Sequence, residues 1–147
     1  MIFNFFKRTK IHKENDNLTS FDFELTASVL AYEIARSDGE ITTDELSMLM
    51  SEIEKVSEKV GKDKVEVLKI VEKYSKDSVS FYEFIEDINK SYSMEEKNKL
   101  LKFLWQTAYA DGKLDVDEER LVRRVADLIK VKDIDVLKLK HISKNDN

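Results

Sequence analysis

Two short acidic segments carry the side chains best suited to chemistry in this sequence. They read Asp38-Gly39-Glu40-Ile41-Thr42-Thr43-Asp44-Glu45 and Asp111-Gly112-Lys113-Leu114-Asp115-Val116-Asp117-Glu118. Both follow the pattern Asp-Gly-x-(Ile/Leu)-x-x-Asp-Glu. Hard cations such as calcium and magnesium take several oxygen ligands, and carboxylates on short loops supply them. If the two segments face each other about a pseudo-twofold axis, Asp38, Glu45, Asp111 and Glu118 share one cleft. Four carboxylates in one cleft repel unless a cation neutralises them. These four are therefore the candidate ligands of a divalent cation, with calcium or magnesium favoured over zinc.

Neither segment is an EF-hand. With Gly39 set as the sixth loop residue, Ile41 takes the apolar eighth place and Glu45 the bidentate twelfth. Gly112, Leu114 and Glu118 take the same places in the second segment. Positions one and three then fall on Ile34 and Arg36, or on Thr107 and Tyr109, which cannot supply the first carboxylates. A plainer use of the same residues is open beside the metal. Asp-Gly stops a helix, with glycine in the left-handed position, and Thr42/Glu45 and Asp115/Glu118 have the spacing of capping boxes for the next one. Acidic residues in a first turn also suit the helix dipole.

Other chemistry is thinly represented. The chain has no cysteine, so disulfides, thiolate nucleophiles and cysteine-based metal sites are excluded. His12 and His141 lie in polar segments near opposite ends, which argues against a histidine cluster or a hydrolytic triad. Arg120, Arg123 and Arg124 form a solvated face or pair with Glu and Asp, or else make a dock for an acidic partner. Trp105 and Tyr32 are read as core.

The acidic segments need helices to position them, and the sequence supplies these. Among 147 residues there are no prolines and three glycines, which argues for helices joined by short connections. Phe23, Ala27, Leu30, Ala31 and Ile34 give one apolar face to a helix over about 22–37. Leu46, Leu49, Met50, Ile53 and Val56 do the same for a helix from Thr42 to Gly61. Further helices are expected over about 64–74, from a capping box at Ser80–Glu83, from a box at Ser93–Glu96 through Ala108, from Asp115 through Ile129, and over about 134–141. An offset of 73 residues carries Asp38 onto Asp111, Tyr32 onto Trp105, Leu49 onto Val122 and Val56 onto Ile129. Two copies are too few for a solenoid. They indicate two helix–loop–helix halves sharing one core, an all-α bundle of about seven helices. The expected division is a flexible leader at 1–20, a helical domain at 21–142 and a polar tail at 143–147.

Apolar residues make up 41% and charged residues 37%, a balance suited to amphipathic helices with solvated outer faces. Net charge is −5 with both signs interleaved, which offers no basic stripe for nucleic acid. The opening apolar run is too short for a signal peptide and no stretch is long enough to span a bilayer, so a cytoplasmic location is expected. Phe3, Phe5, Phe6, Lys7 and Arg8 could at most touch a membrane surface; the plainer reading is a frayed terminus, or a few aromatics packed back on the body.

The segment Leu104-Trp105-Gln-Thr-Ala108-Tyr-Ala110-Asp111-Gly112-Lys-Leu114-Asp-Val-Asp-Glu118-Glu119-Arg-Leu121-Val-Arg123-Arg124-Val-Ala126-Asp127-Leu128-Ile129 closely resembles the second half of the tellurite-resistance TerB-like family. Ala31-Tyr-Glu33-Ile-Ala35-Arg-Ser-Asp38-Gly39-Glu-Ile-Thr-Thr-Asp-Glu45 resembles its first motif, and Phe81-Tyr-Glu-Phe84-Ile fits its middle. The resemblance covers about residues 22–142. It implies an all-helical bacterial cytoplasmic domain, related also to the N-terminal part of a membrane-anchored DnaJ-type co-chaperone. It further implies a link to stress-resistance systems working near the membrane, with a metal ion at Asp38, Glu45, Asp111 and Glu118.

Three functions follow as expectations. The first is a non-enzymatic binding or scaffold module of a bacterial stress-response system, with a divalent cation at the acidic loops. The second is a structural adaptor that recruits a protein through Arg123 and Arg124 or through the leader. The third is a metal-dependent hydrolase using the same carboxylates, disfavoured by the shortage of histidine ligands and of a nearby nucleophile.

Overall fold

A computed structural model describes the backbone of residues 15–37, 39–76 and 78–146, and the side chains of 23–37, 39–76 and 81–144. Among these residues the chain forms seven helices and no strand: α1 (Asn15–Ala35), α2 (Thr43–Val60), α3 (Lys64–Lys76), α4 (Ser78–Ser91), α5 (Met94–Ala108), α6 (Val116–Leu128) and α7 (Asp133–Asp146). The all-α bundle expected from the sequence is what is found.

Several boundaries differ from the sequence reading. α1 starts at Asn15 rather than near Asp22, so helix reaches back into the segment read as a leader. Ser80 is not an N-cap, because α4 already begins at Ser78. α7 runs on to Asp146, through most of the expected polar tail. Its Ser143 is buried and donates to the Lys102 carbonyl at 3.4 Å, which ties that end to α5. Phe3, Phe5, Phe6, Lys7, Arg8 and His12 lie outside the described residues.

α1 is the axis of the fold. Residues 25–32 read Leu-Thr-Ala-Ser-Val-Leu-Ala-Tyr without a charge, and every one is buried. A helix apolar all round is surrounded by others, and α1 packs against α2, α3, α5 and α6. Of its two central hydroxyl residues, Ser28 donates to the Glu24 carbonyl at 2.8 Å, while Thr26 Oγ1 has no partner among the described residues. The two halves share one continuous core, to which α1 and α2 contribute Leu30, Ile34, Leu49 and Ile53, and α5 and α6 contribute Leu100, Leu104, Trp105, Val122 and Val125.

The internal repeat is written in the backbone. At the end of α1, Arg36 N–H donates to the Tyr32 carbonyl, Ser37 to Ile34 and Gly39 to Arg36, at 3.1, 3.2 and 3.0 Å. At the end of α5, Tyr109 donates to Trp105, Ala110 to Thr107 and Gly112 to Tyr109, at 3.0, 3.2 and 2.8 Å. Each bond maps onto its counterpart at the 73-residue offset. Gly39 and Gly112 have φ of +96° and +84°, a conformation in which a Cβ is strained. The matched helices α1 and α5 pack on each other, and each touches the other half's second helix. That arrangement is expected of halves related by a pseudo-twofold axis.

Candidate functional site

The acidic loops are first of all helix starts. Thr42 accepts the Glu45 N–H at 3.1 Å, while Glu45 Oε1 accepts the Thr42 N–H at 2.9 Å, closing a capping box at α2. In the second half Asp115 caps α6, its Oδ1 accepting from Asp117 at 2.8 Å and Glu118 at 3.4 Å. Asp111 Oδ1 accepts the Lys113 N–H at 3.0 Å, bracing the bend after Gly112. Replacing Thr42 by alanine is expected to cost about 1 kcal/mol, within the 0.5–2 range of lost N-caps. Chemical denaturation checks this, and exchange at the first-turn amides of α2 locates it.

Of the four candidate cation ligands, Glu45 and Glu118 occupy equivalent first-turn positions and are 1% and 3% exposed, whereas Asp111 is exposed. Asp38 lies outside the described residues. Among the described residues no three or more histidine, aspartate or glutamate side chains come together as a metal-holding group. Capping accounts for one carboxylate oxygen of Glu45, and the bend for one of Asp111.

The arginine face of α6 divides into three unlike parts. Arg120 approaches Asp117 at 3.9 Å and is otherwise solvated. Arg123 is spent on Glu119, with contacts of 2.9 and 3.0 Å, and Glu119 also receives the Lys140 ammonium at 2.8 Å. That cluster fastens α7 to α6. The Lys140 ammonium first, and the Arg123 guanidinium after it, hold the Glu119 carboxyl below its ordinary value of 4.5, against an opposing push from burial. A carboxylate depressed on folding gives stability that is present above its unfolded pKa and lost as pH falls through the folded one. α7 amides are therefore expected to lose exchange protection as pH drops below about 4.5. Glu119→Gln should lack that acid-dependent limb.

Arg124 lines a groove. It donates from Nη2 to the Tyr82 hydroxyl at 3.3 Å, and among the described residues it has no carboxylate partner. The groove has a volume of about 220 Å³ and lies between the ends of α1 and α3, the start of α4 and the middle of α6. On its far wall Arg36 pairs with Glu33 at 2.8 Å, and buried Ser75 donates to the same carboxylate at 3.0 Å. One turn away, Tyr32 donates to Glu72 at 2.9 Å; burial first, and then this bond to a carboxylate, push its hydroxyl up to about 12. Sequence reasoning singled out Arg124 but missed Arg36, Ser75 and Tyr82, which meet it only through helix packing.

The model of the tellurite resistance protein TerB family matches residues 24–141. The chain belongs to the TerB family. The match runs from within α1 to within α7 and takes in both Asp-Gly bends. No curated protein and no solved structure matches the chain. Among the described residues no helix is long and apolar enough to cross a membrane.

Proposed function

We propose that this TerB domain is a non-enzymatic binding module of a bacterial tellurite-resistance-like stress response, and that it engages a protein partner through the Arg124 side of α6. The observation carrying this reading is the groove itself. Its walls come from both halves of the repeat, and it presents a guanidinium that no carboxylate of the described chain neutralises. The second acidic bend serves to start α6, which supplies Leu121 and Arg124 to the groove.

A photo-crosslinking amino acid at position 82 of the full chain tests the reading in bacterial cells. A discrete adduct is expected at 82, absent when the probe sits at exposed Val65 and absent in Arg124→Glu. Equal labelling from both positions, or an adduct indifferent to Arg124→Glu, would remove the proposal. Hydrolytic turnover by the purified chain, lost in Asp111→Asn, would replace it with the metal-dependent hydrolase.

A divalent cation at Asp38, Glu45, Asp111 and Glu118 is the second reading, favoured by the burial of two matched carboxylates, Glu45 and Glu118. Calorimetric titration with calcium, magnesium, manganese and zinc decides it. Binding heat with a raised melting temperature supports the cation, and no heat and no shift with any of them dismisses it.

A further inference from the structure

The groove is small, and its chemistry is two-sided. At about 220 Å³ it falls below the roughly 300–1,000 Å³ of sites that enclose whole small-molecule ligands. It suits one or two side chains of a larger partner. Arg36, Lys76 and Arg124 line it against one carboxylate, Glu33, and that carboxylate is already held by Arg36 and Ser75. The lining is therefore cationic on a chain whose net charge is −5. Between the charges lie apolar surfaces. Phe81 and Leu121 are half-buried, and Tyr82, 51% exposed, stands edge-on to Phe81 with ring centroids 5.5 Å apart.

From this juxtaposition we infer that the groove receives an acidic peptide segment of a partner protein. An aspartate or glutamate side chain of that segment would pair with Arg124 and Lys76 beside the Tyr82 hydroxyl. An adjacent apolar side chain would rest on Phe81 and Leu121. Guanidinium is the cation best suited to a carboxylate, because its planar fork can donate two parallel hydrogen bonds. Arg124 is also pre-positioned, since the Tyr82 hydroxyl already orients it. Arg36 cannot take the same role without giving up Glu33. A nucleic-acid backbone fits less well, because its affinity requires many phosphates to be neutralised along a basic track, and three cations in one small groove do not make such a track. The inference rests on the binding-module reading and adds the chemistry of the partner.

The test is a nuclear magnetic resonance titration of the labelled full chain with acetyl-Glu-Leu-Asp-Phe-Glu-amide and its neutral twin acetyl-Gln-Leu-Asn-Phe-Gln-amide. The acidic peptide is expected to shift the Arg124 side-chain resonance and the amides of Phe81, Tyr82 and Leu121, in a saturable and salt-sensitive manner. The neutral twin, and Arg124→Gln with the acidic peptide, should each bind about 10-fold more weakly. Arg120→Gln, on the solvated part of α6, should bind as the unaltered chain does. Arg124 is exposed, so its replacement leaves melting near that of the unaltered chain and weakened binding reads as recognition. Equal binding of the neutral twin, shifts confined to other surfaces, or saturation by inorganic phosphate with no peptide response would overturn the inference. A position-82 crosslink that persists while the peptide fails would overturn the ligand class alone. Loss of both overturns the binding module as well.

Discussion

Trp105→Ala is expected to destabilise the fold by about 3–5 kcal/mol, the usual cost of deleting a large buried aromatic. Trp105 is the largest fully buried side chain in the core and is 0% exposed. It lies on α5 where Tyr32 lies on α1, so it is the second half's version of a position that the first half fills with a smaller ring. Tyr109 lies 6.4 Å from it, and the Lys140 ammonium sits 5.8 Å over the ring, so the truncation also loosens α7. A domain of this size melts about 2–4 °C lower per kcal/mol, which puts the expected drop near 10 °C. Trp105→Phe should cost much less. Among the described residues the indole N–H has no hydrogen-bond partner to lose, and phenylalanine keeps most of the apolar contact.

Phe84→Ala is expected to have an effect of the same size, about 3–5 kcal/mol, for a different reason. Phe84 is fully buried, yet α4 belongs to neither copy of the repeat. It is the anchor of the helix that bridges the halves and carries Phe81 and Tyr82 to the groove. The variant should lose stability and groove binding together, whereas Arg124→Gln should lose binding alone. Measuring melting and peptide titration on both variants separates the contribution of the scaffold from that of the contact.

Much of this architecture is visible in the chain before folding. The 73-residue offset, the two Asp-Gly stops and the capping spacing at Thr42 and Ser93 are local signals, and both boxes close as expected. The charge-free run at 25–32 marks the central helix, although periodicity alone suggested a single buried face. Ile and Leu at helical spacing show one face, and only the absence of charge on the others shows that all faces are covered. The Ser80 box failed because its Ser-x-x-Glu spacing fits a helix interior as well as a helix start. The start of α4 at Ser78 decided between them.

The groove could not be read in the same way. Arg36, Ser75, Tyr82 and Arg124 are separated by up to 88 residues and meet because α1, α3, α4 and α6 converge. The three arginines of α6 look alike in sequence. Their roles part only when Glu119, which also holds Lys140, claims Arg123, and Tyr82 orients Arg124. At the acidic bends the sequence permits both a cap and a cation. The cap is described, and the four-carboxylate arrangement includes Asp38, outside the described residues.

Everything proposed for the groove depends on the two halves forming one cooperative unit, since each supplies a wall. Native-state hydrogen exchange on the full chain, in rising sub-denaturing urea, tests that dependence most directly. The slowest amides of α1 and α2 are expected to converge with those of α5 and α6 on one opening free energy and one urea dependence. Two separate groups, with the α1–α2 amides opening while α5–α6 stay protected, would contradict the account.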